Sequence, residues 1–304
     1  MSLGKGIVTG LRVLAVCLLF AISFTVGAAV SGVAKIAQEG PAVQTSPGEV
    51  LLPFLAFCFC VGVAISYLVL RSGWGGLKLA GAMFVAIFGI STVATQVESL
   101  FFLQAKMPAG MIRGLFLEGL IASVLIAPLA VLVLGKWKAA PPAAAQIAPA
   151  HLSAASAAWR IALLIGAFEF LYMFFGYYVA WQNPALRQYY GGHEFASFFA
   201  SLKSNWENMP RIYGLQVFRA LLYVACVFPL LRMLRVARGE KAAGVALFLA
   251  SWTTILLMPN PLMPASVARS HFWETLAFNL VFGALLGWLL GKTAPSREAA
   301  VTAP

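Results

Sequence analysis

Two short stretches hold the residue types able to do chemistry in this 304-residue chain, MPAGMIRGLFLE from Met107 to Glu118 and MPASVARSHFWE from Met263 to Glu274. Six of the twelve positions are identical, where ordinary residue frequencies give about one. Each stretch has a proline suited to the first turn of a helix, then an arginine, then a glutamate five residues on. Counted from the proline, Arg113 and Arg269 lie about 7 Å along the helix and Glu118 and Glu274 about 15 Å along it. Residues five apart stand about 140° apart on one helix and pair poorly within it. The expected partners are therefore crossed, Arg113 with Glu274 and Arg269 with Glu118. Glu169 and Arg219 reach similar depth in two later apolar runs and are expected to meet each other.

The stretches differ at one telling place. Leu115 of the first is His271 in the second, which sets His271 and Glu274 three apart on one helical face, a pattern able to relay protons. A metal is not expected there, nor is any cofactor. The other histidines, His151 and His193, fall in a linker and an outer loop, so no axial pair for a haem is at hand.

These groups need elements that hold them, and composition names the solvent of those elements. The chain is 61% hydrophobic and 10% charged, contains no aspartate, and has a mean hydropathy of +0.88. Such a chain has the lipid bilayer as its partner. The net charge of +11 does not mark a nucleic-acid binder, because most Lys and Arg sit in short stretches between apolar runs. Cys17, Cys58, Cys60 and Cys226 all lie inside such runs and read as small buried hydrophobes.

About 20 helical residues cross a bilayer. Eight runs qualify, at about 12–35, 49–71, 76–98, 109–135, 158–181, 212–234, 241–258 and 267–291. With the N-terminus inside, thirteen of the 21 Lys and Arg fall on the cytoplasmic side, which predicts both termini there. The expected fold is an all-α polytopic membrane protein with two parallel four-helix repeats. Lys78 and Gly81 open the third run as Lys241 and Gly244 open the seventh, and Arg12 and Phe20 are spaced like Arg160 and Phe168. Residues 1–138 form the first repeat, 139–156 a Pro/Ala-rich cytoplasmic linker, 157–292 the second repeat, and 293–304 a disordered tail.

The second repeat carries an insertion near 193–207. There Phe195, Phe198, Phe199, Leu202 and Trp206 make one apolar stripe, which predicts an amphipathic helix at the outer face, either resting in the interface or covering a cavity. Gly283, Gly287 and Gly291 form a small-residue face fit for close packing, within the chain or with a second copy or other subunit.

No nucleotide-binding loop, Ser/His/Asp set or zinc pattern is present. The layout resembles transporters built from parallel internal repeats, a likeness of fold alone. The leading expectation is a permease of a bacterial-type cytoplasmic membrane for a small polar or anionic solute, proton-coupled through Glu118 and Glu274. The alternatives are an embedded enzyme using His271, Glu274 and His193 on a lipid-linked substrate at the outer face, and a non-catalytic subunit of a membrane complex.

Overall fold

A computed structural model describes residues 3–38, 46–104, 106–138, 147, 150, 152–260 and 263–293. Most of the 139–156 linker and nearly all of the 293–304 tail lie outside the described residues. Eight helices are long and apolar enough to cross a membrane, and the chain is an all-helical, multi-pass membrane protein. They run Gly4–Ser31, Gly48–Leu70, Gly76–Phe102, Met111–Val133, Ala154–Ala180, Arg211–Met233, Arg238–Leu257 and Ala265–Leu290. An even number of crossings brings the first and last helix ends to one end of the bundle, called the terminal end below. The other is the far end.

Several boundaries differ from those read in the sequence, for local reasons. The first helix ends at Ser31 because Gly32 takes φ +78, a left-handed conformation that breaks the helix before the short Val33–Gln38 segment. The third runs on to Phe102 through a polar stretch, since Thr95 and Ser99 hydroxyls donate to the carbonyls of Ile90 and Thr95 and stay within the helix. It contains a π segment at Gly89–Ala94, while the seventh tightens to a 3₁₀ turn at Trp252–Leu257. Pro264 immediately precedes its helix as expected. Pro108 lies three residues ahead of Met111, in a turn closed by Gly110 at φ +81.

Packing follows a regular plan. The first span lies on the second and fourth, and the third lies on the fourth. The fifth lies on the sixth and eighth, and the seventh lies on the eighth. Between these groups, the second meets the seventh and the third meets the sixth. At the terminal end the turns after the second and sixth spans pair like two strands. There the Gly73 N–H donates to Met233 O at 2.8 Å and the Arg235 N–H to Arg71 O at 3.2 Å.

Small residues permit the closest approaches. A methyl on Gly283 or Gly287 would lie 2.6 Å from the Cα of Ala246 or Ala242, so two faces of backbone touch there. The seventh span thus packs on the glycine face of the eighth. Two aromatic hubs complete the core. Phe20 meets Phe24, Phe57 and Trp252, and Phe168 meets Tyr223, Phe278 and Phe282.

Candidate functional site

Charged groups converge in one place, in the far-end half of the bundle where the third, fifth, sixth and eighth spans meet. Arg219 lies eight residues into the sixth span, roughly 12 Å from its far end. Its Nη2 is 2.7 Å from Oε2 of Glu98 on the third span, and its Nη1 donates to Gln216 Oε1 at 2.9 Å. The guanidinium carbon stands 5.7 Å from the Phe168 ring centre and 5.9 Å from that of Tyr172. Burial of a charge at this depth requires such a partner and such donors and acceptors around it. Arg219 Nε and Gln216 Nε2 are buried and have no hydrogen-bond partner among the described residues.

Beside this pair runs a second chain of contacts. His271 Nδ1 lies 2.7 Å from Glu274 Oε2, and its Nε2 lies 3.1 Å from the Tyr190 hydroxyl. Tyr190 closes the short helix Pro184–Tyr190. That helix begins with Asn183, whose Oδ1 accepts from the Ala185 N–H, and ends at Gly191 with φ +73. The Asn183 amide also donates to Ser266 O and Ser270 Oγ, which pins the helix to the start of the eighth span. Lys106, from the turn after the third span, sits 3.9 Å from the Tyr189 ring centre and 5.3 Å from that of Tyr190.

Burial pushes the Tyr190 hydroxyl well above the usual tyrosine range, and neighbouring Tyr189, Glu98 and Glu274 push it the same way. It therefore stays protonated at neutral pH. With a neutral imidazole, the Tyr190 O–H donates to Nε2 and leaves Nδ1–H to donate to Glu274. With an imidazolium, both nitrogens donate and Tyr190 accepts. Phe102, one helical turn beyond Glu98, meets the Tyr190 ring with 6.5 Å between ring centres, which sets the two groups of contacts side by side. A proton taken up by His271 is matched by the carboxylate of Glu274, so the cluster can hold that proton as an ion pair. Beneath it the Phe168 hub closes the bundle toward the terminal end.

The structure brings together Arg219, His271 and Glu274 and leaves the other expected residues apart. Arg113 and Arg269 are exposed and make no ion pair among the described residues, so neither crossed pair forms. The angular separation that forbade pairing within one helix also explains this. With Glu118 and Glu274 turned inward, each arginine faces outward, where its long stem carries the charge toward the interface. Glu118 is buried where the first and fourth spans touch at Gly27, again without an ion-pair partner among the described residues. Glu169 does not meet Arg219, which is taken by Glu98, and among the described residues neither of its buried carboxyl oxygens has a hydrogen-bond partner.

Sequence reading missed Glu98, Gln216, Tyr172 and Tyr190. Glu98 lies about 6 Å from the far end of its span and Arg219 about 12 Å, so no match of depth announces the pair, and only the packing of the third span on the sixth brings them together. The insertion does form a helix, Phe198–Asn208, capped by Ser197, whose Oγ accepts from the Ala200 N–H. Phe198 packs on Phe170, Phe174 and Tyr178 of the fifth span, whereas Phe199 and Trp206 face outward. The helix flanks the bundle, and Tyr190 is what covers His271. His193 is exposed and makes no ion pair among the described residues, and its carbonyl accepts from Trp181 Nε1. Among the described residues no group of three or more His, Cys, Asp or Glu is placed to hold a metal ion. Comparisons with protein-family models, with curated proteins and with solved structures find no match for this chain.

Proposed function

We propose that the chain is a permease for a small polar solute, with Glu98, Arg219, His271, Glu274 and Tyr190 as its solute and proton site. The observation that carries this reading is the convergence of ionisable groups from both halves of the chain, Glu98 from the first and the others from the second, inside the bundle. Charge balance favours a neutral or zwitterionic solute over the anion expected from exposed arginines, since Arg219 is already neutralised by Glu98. In this reading the two halves are copies of one four-helix unit, each with its second span against the other's third. The packing plan and the irregular segments Gly89–Ala94 and Trp252–Leu257, both starting eleven residues after Lys78 and Lys241, support that. The far end then faces outside a bacterial-type cytoplasmic membrane, with both termini cytoplasmic.

The test uses the purified chain in proteoliposomes loaded with a pH-reporting dye and exposed in turn to small amino acids, carboxylates and polyols. One class is expected to drive both its own uptake and a proton flux, lost in Glu274→Gln. A panel that moves nothing, or a flux untouched by Glu274→Gln and His271→Leu, would sink the proposal. The enzyme reading draws support from one observation, the Tyr190–His271–Glu274 chain, which exists only in the second half. Its signature is turnover lost in His271→Leu and kept in Glu118→Gln.

A further inference from the structure

Away from that cluster, one charged side chain stands out. Lys241, in the first turn of the seventh span, is completely buried, and its ammonium has no hydrogen-bond partner among the described residues. Its stem runs against the end of the eighth span, where a methyl on Gly291 would sit 3.2 Å from its Cδ. The charges that act on it are those of Arg232 and Arg235, both cations and both partly exposed. The nearest carboxylate in sequence, Glu240, is engaged elsewhere, 3.0 Å from Arg71 Nε and accepting from the Tyr67 hydroxyl at 3.0 Å. Lys78 opens the third span as Lys241 opens the seventh, yet it is exposed and lies 4.2 Å from the Trp74 ring centre. Burial is therefore particular to Lys241 and is not imposed by its place in the helix.

Among the described residues these three cations have no free carboxylate beside them at the helix N-terminus and so lack a counter-charge of suitable geometry. We propose that Lys241, Arg232 and Arg235 bind a phosphate-bearing anion at the terminal end of the bundle. The buried ammonium forms the floor of the site and the two guanidiniums form its rim. Guanidinium forks match phosphate oxygens in pairs, an ammonium serves as a point charge, and the free N–H groups of the seventh span's first turn add donors. The linker passes beside the rim, where Arg232 Nη1 donates to Ala150 O at 3.4 Å. The phosphate comes from an anionic lipid headgroup or from a free phosphate.

The experiment heats the purified full-length chain in neutral detergent with inorganic phosphate, with a short-chain phosphatidylglycerol, or with the matching phosphatidylcholine, ionic strength being fixed with chloride. Bound anion is expected to raise Tm by about 2–4 °C over the phosphatidylcholine and chloride controls. The rise should vanish in Lys241→Met and persist in Lys78→Met. A rise with both phosphate and phosphatidylglycerol supports the site with free phosphate sufficient, and a rise with phosphatidylglycerol alone supports it with a lipid as the source. No rise with either, or a rise that survives in Lys241→Met, overturns it. If Lys241→Met does not fold, the Arg232→Gln/Arg235→Gln rim variant carries the same test, and a rise that persists there overturns the proposal.

Discussion

Phe20 of the first span and Phe168 of the fifth are each fully buried at the centre of an aromatic hub, but what lies four residues farther on differs. Beyond Phe20, Phe24 packs on Phe54 and Phe57, and the one carboxylate buried near it, Glu118, has no ion-pair partner among the described residues. Beyond Phe168, Tyr172 faces the Arg219 guanidinium, and the second half opens into the charged cluster. Two similar aromatic hubs thus lie under different surroundings, one mostly apolar and one charged. The hub needs ring contacts from its neighbours and is indifferent to the chemistry stacked over it.

The sharpest way to break the comparison is through the paired glycine contact between the seventh and eighth spans of the second half. Replacing both Gly283 and Gly287 by valine drives Cβ atoms into the seventh-span backbone, and no folded monomer should elute on size exclusion. Gly81→Ala in the first half meets nothing within 4 Å, so that variant should stay folded. Next comes the charged pair. Glu98→Gln leaves Arg219 buried without its counter-ion and should cost roughly 3 kcal/mol in a denaturation assay. Adding Arg219→Met should recover part of that loss, and strictly additive losses would refute the coupling.

Smaller effects come from the hubs themselves. Phe20→Leu and Phe168→Leu should each lower stability by about 1 kcal/mol, because both exchange an aromatic for a smaller apolar group in a packed site. Only Phe168→Leu should also disturb the His271 NMR signals. A matching disturbance from Phe20→Leu would mean that the two halves are not insulated from each other. The smallest effect is expected at Glu118, which has no ion pair to lose. Glu118→Gln should change stability by less than about 0.5 kcal/mol, and a large loss would reveal a partner for that carboxylate.

The fold was largely legible because membrane spans announce themselves by length. All eight apolar runs became helices, and Gly283 and Gly287 announced a close contact, though not which helix would fill it. The site was legible only in part. His271 and Glu274 share a helical face three residues apart, so local geometry settled their contact. Arg219 was placed at the right depth but given the wrong partner, because choosing between Glu98 and Glu169 requires knowing that the third span, from the other half of the chain, lies against the sixth. Tyr190 was invisible for a similar reason, since a loop helix held by Asn183 on the eighth span delivers it. Lys241 was read as a surface charge that marks sidedness, and nothing in its neighbours' types signals that it is buried.

The exchange of partners between halves also bears on how the protein is made. The second span presents Tyr67 and Leu68 to Gly244 of the seventh, and Gly89 of the third takes the side chain of Cys226 on the sixth. When the fourth helix leaves the ribosome, both of those seams are still covered by lipid. Lipid tails match such surfaces in polarity, so the early helices wait in the membrane without strong drive to close on one another. The turns that pair at Gly73 and Arg235 come together only after the sixth helix has been inserted, and they join a segment made early to one made late. Maturation of this chain is therefore a late, side-by-side assembly, in which the first-made half acquires its final neighbours from the last-made one.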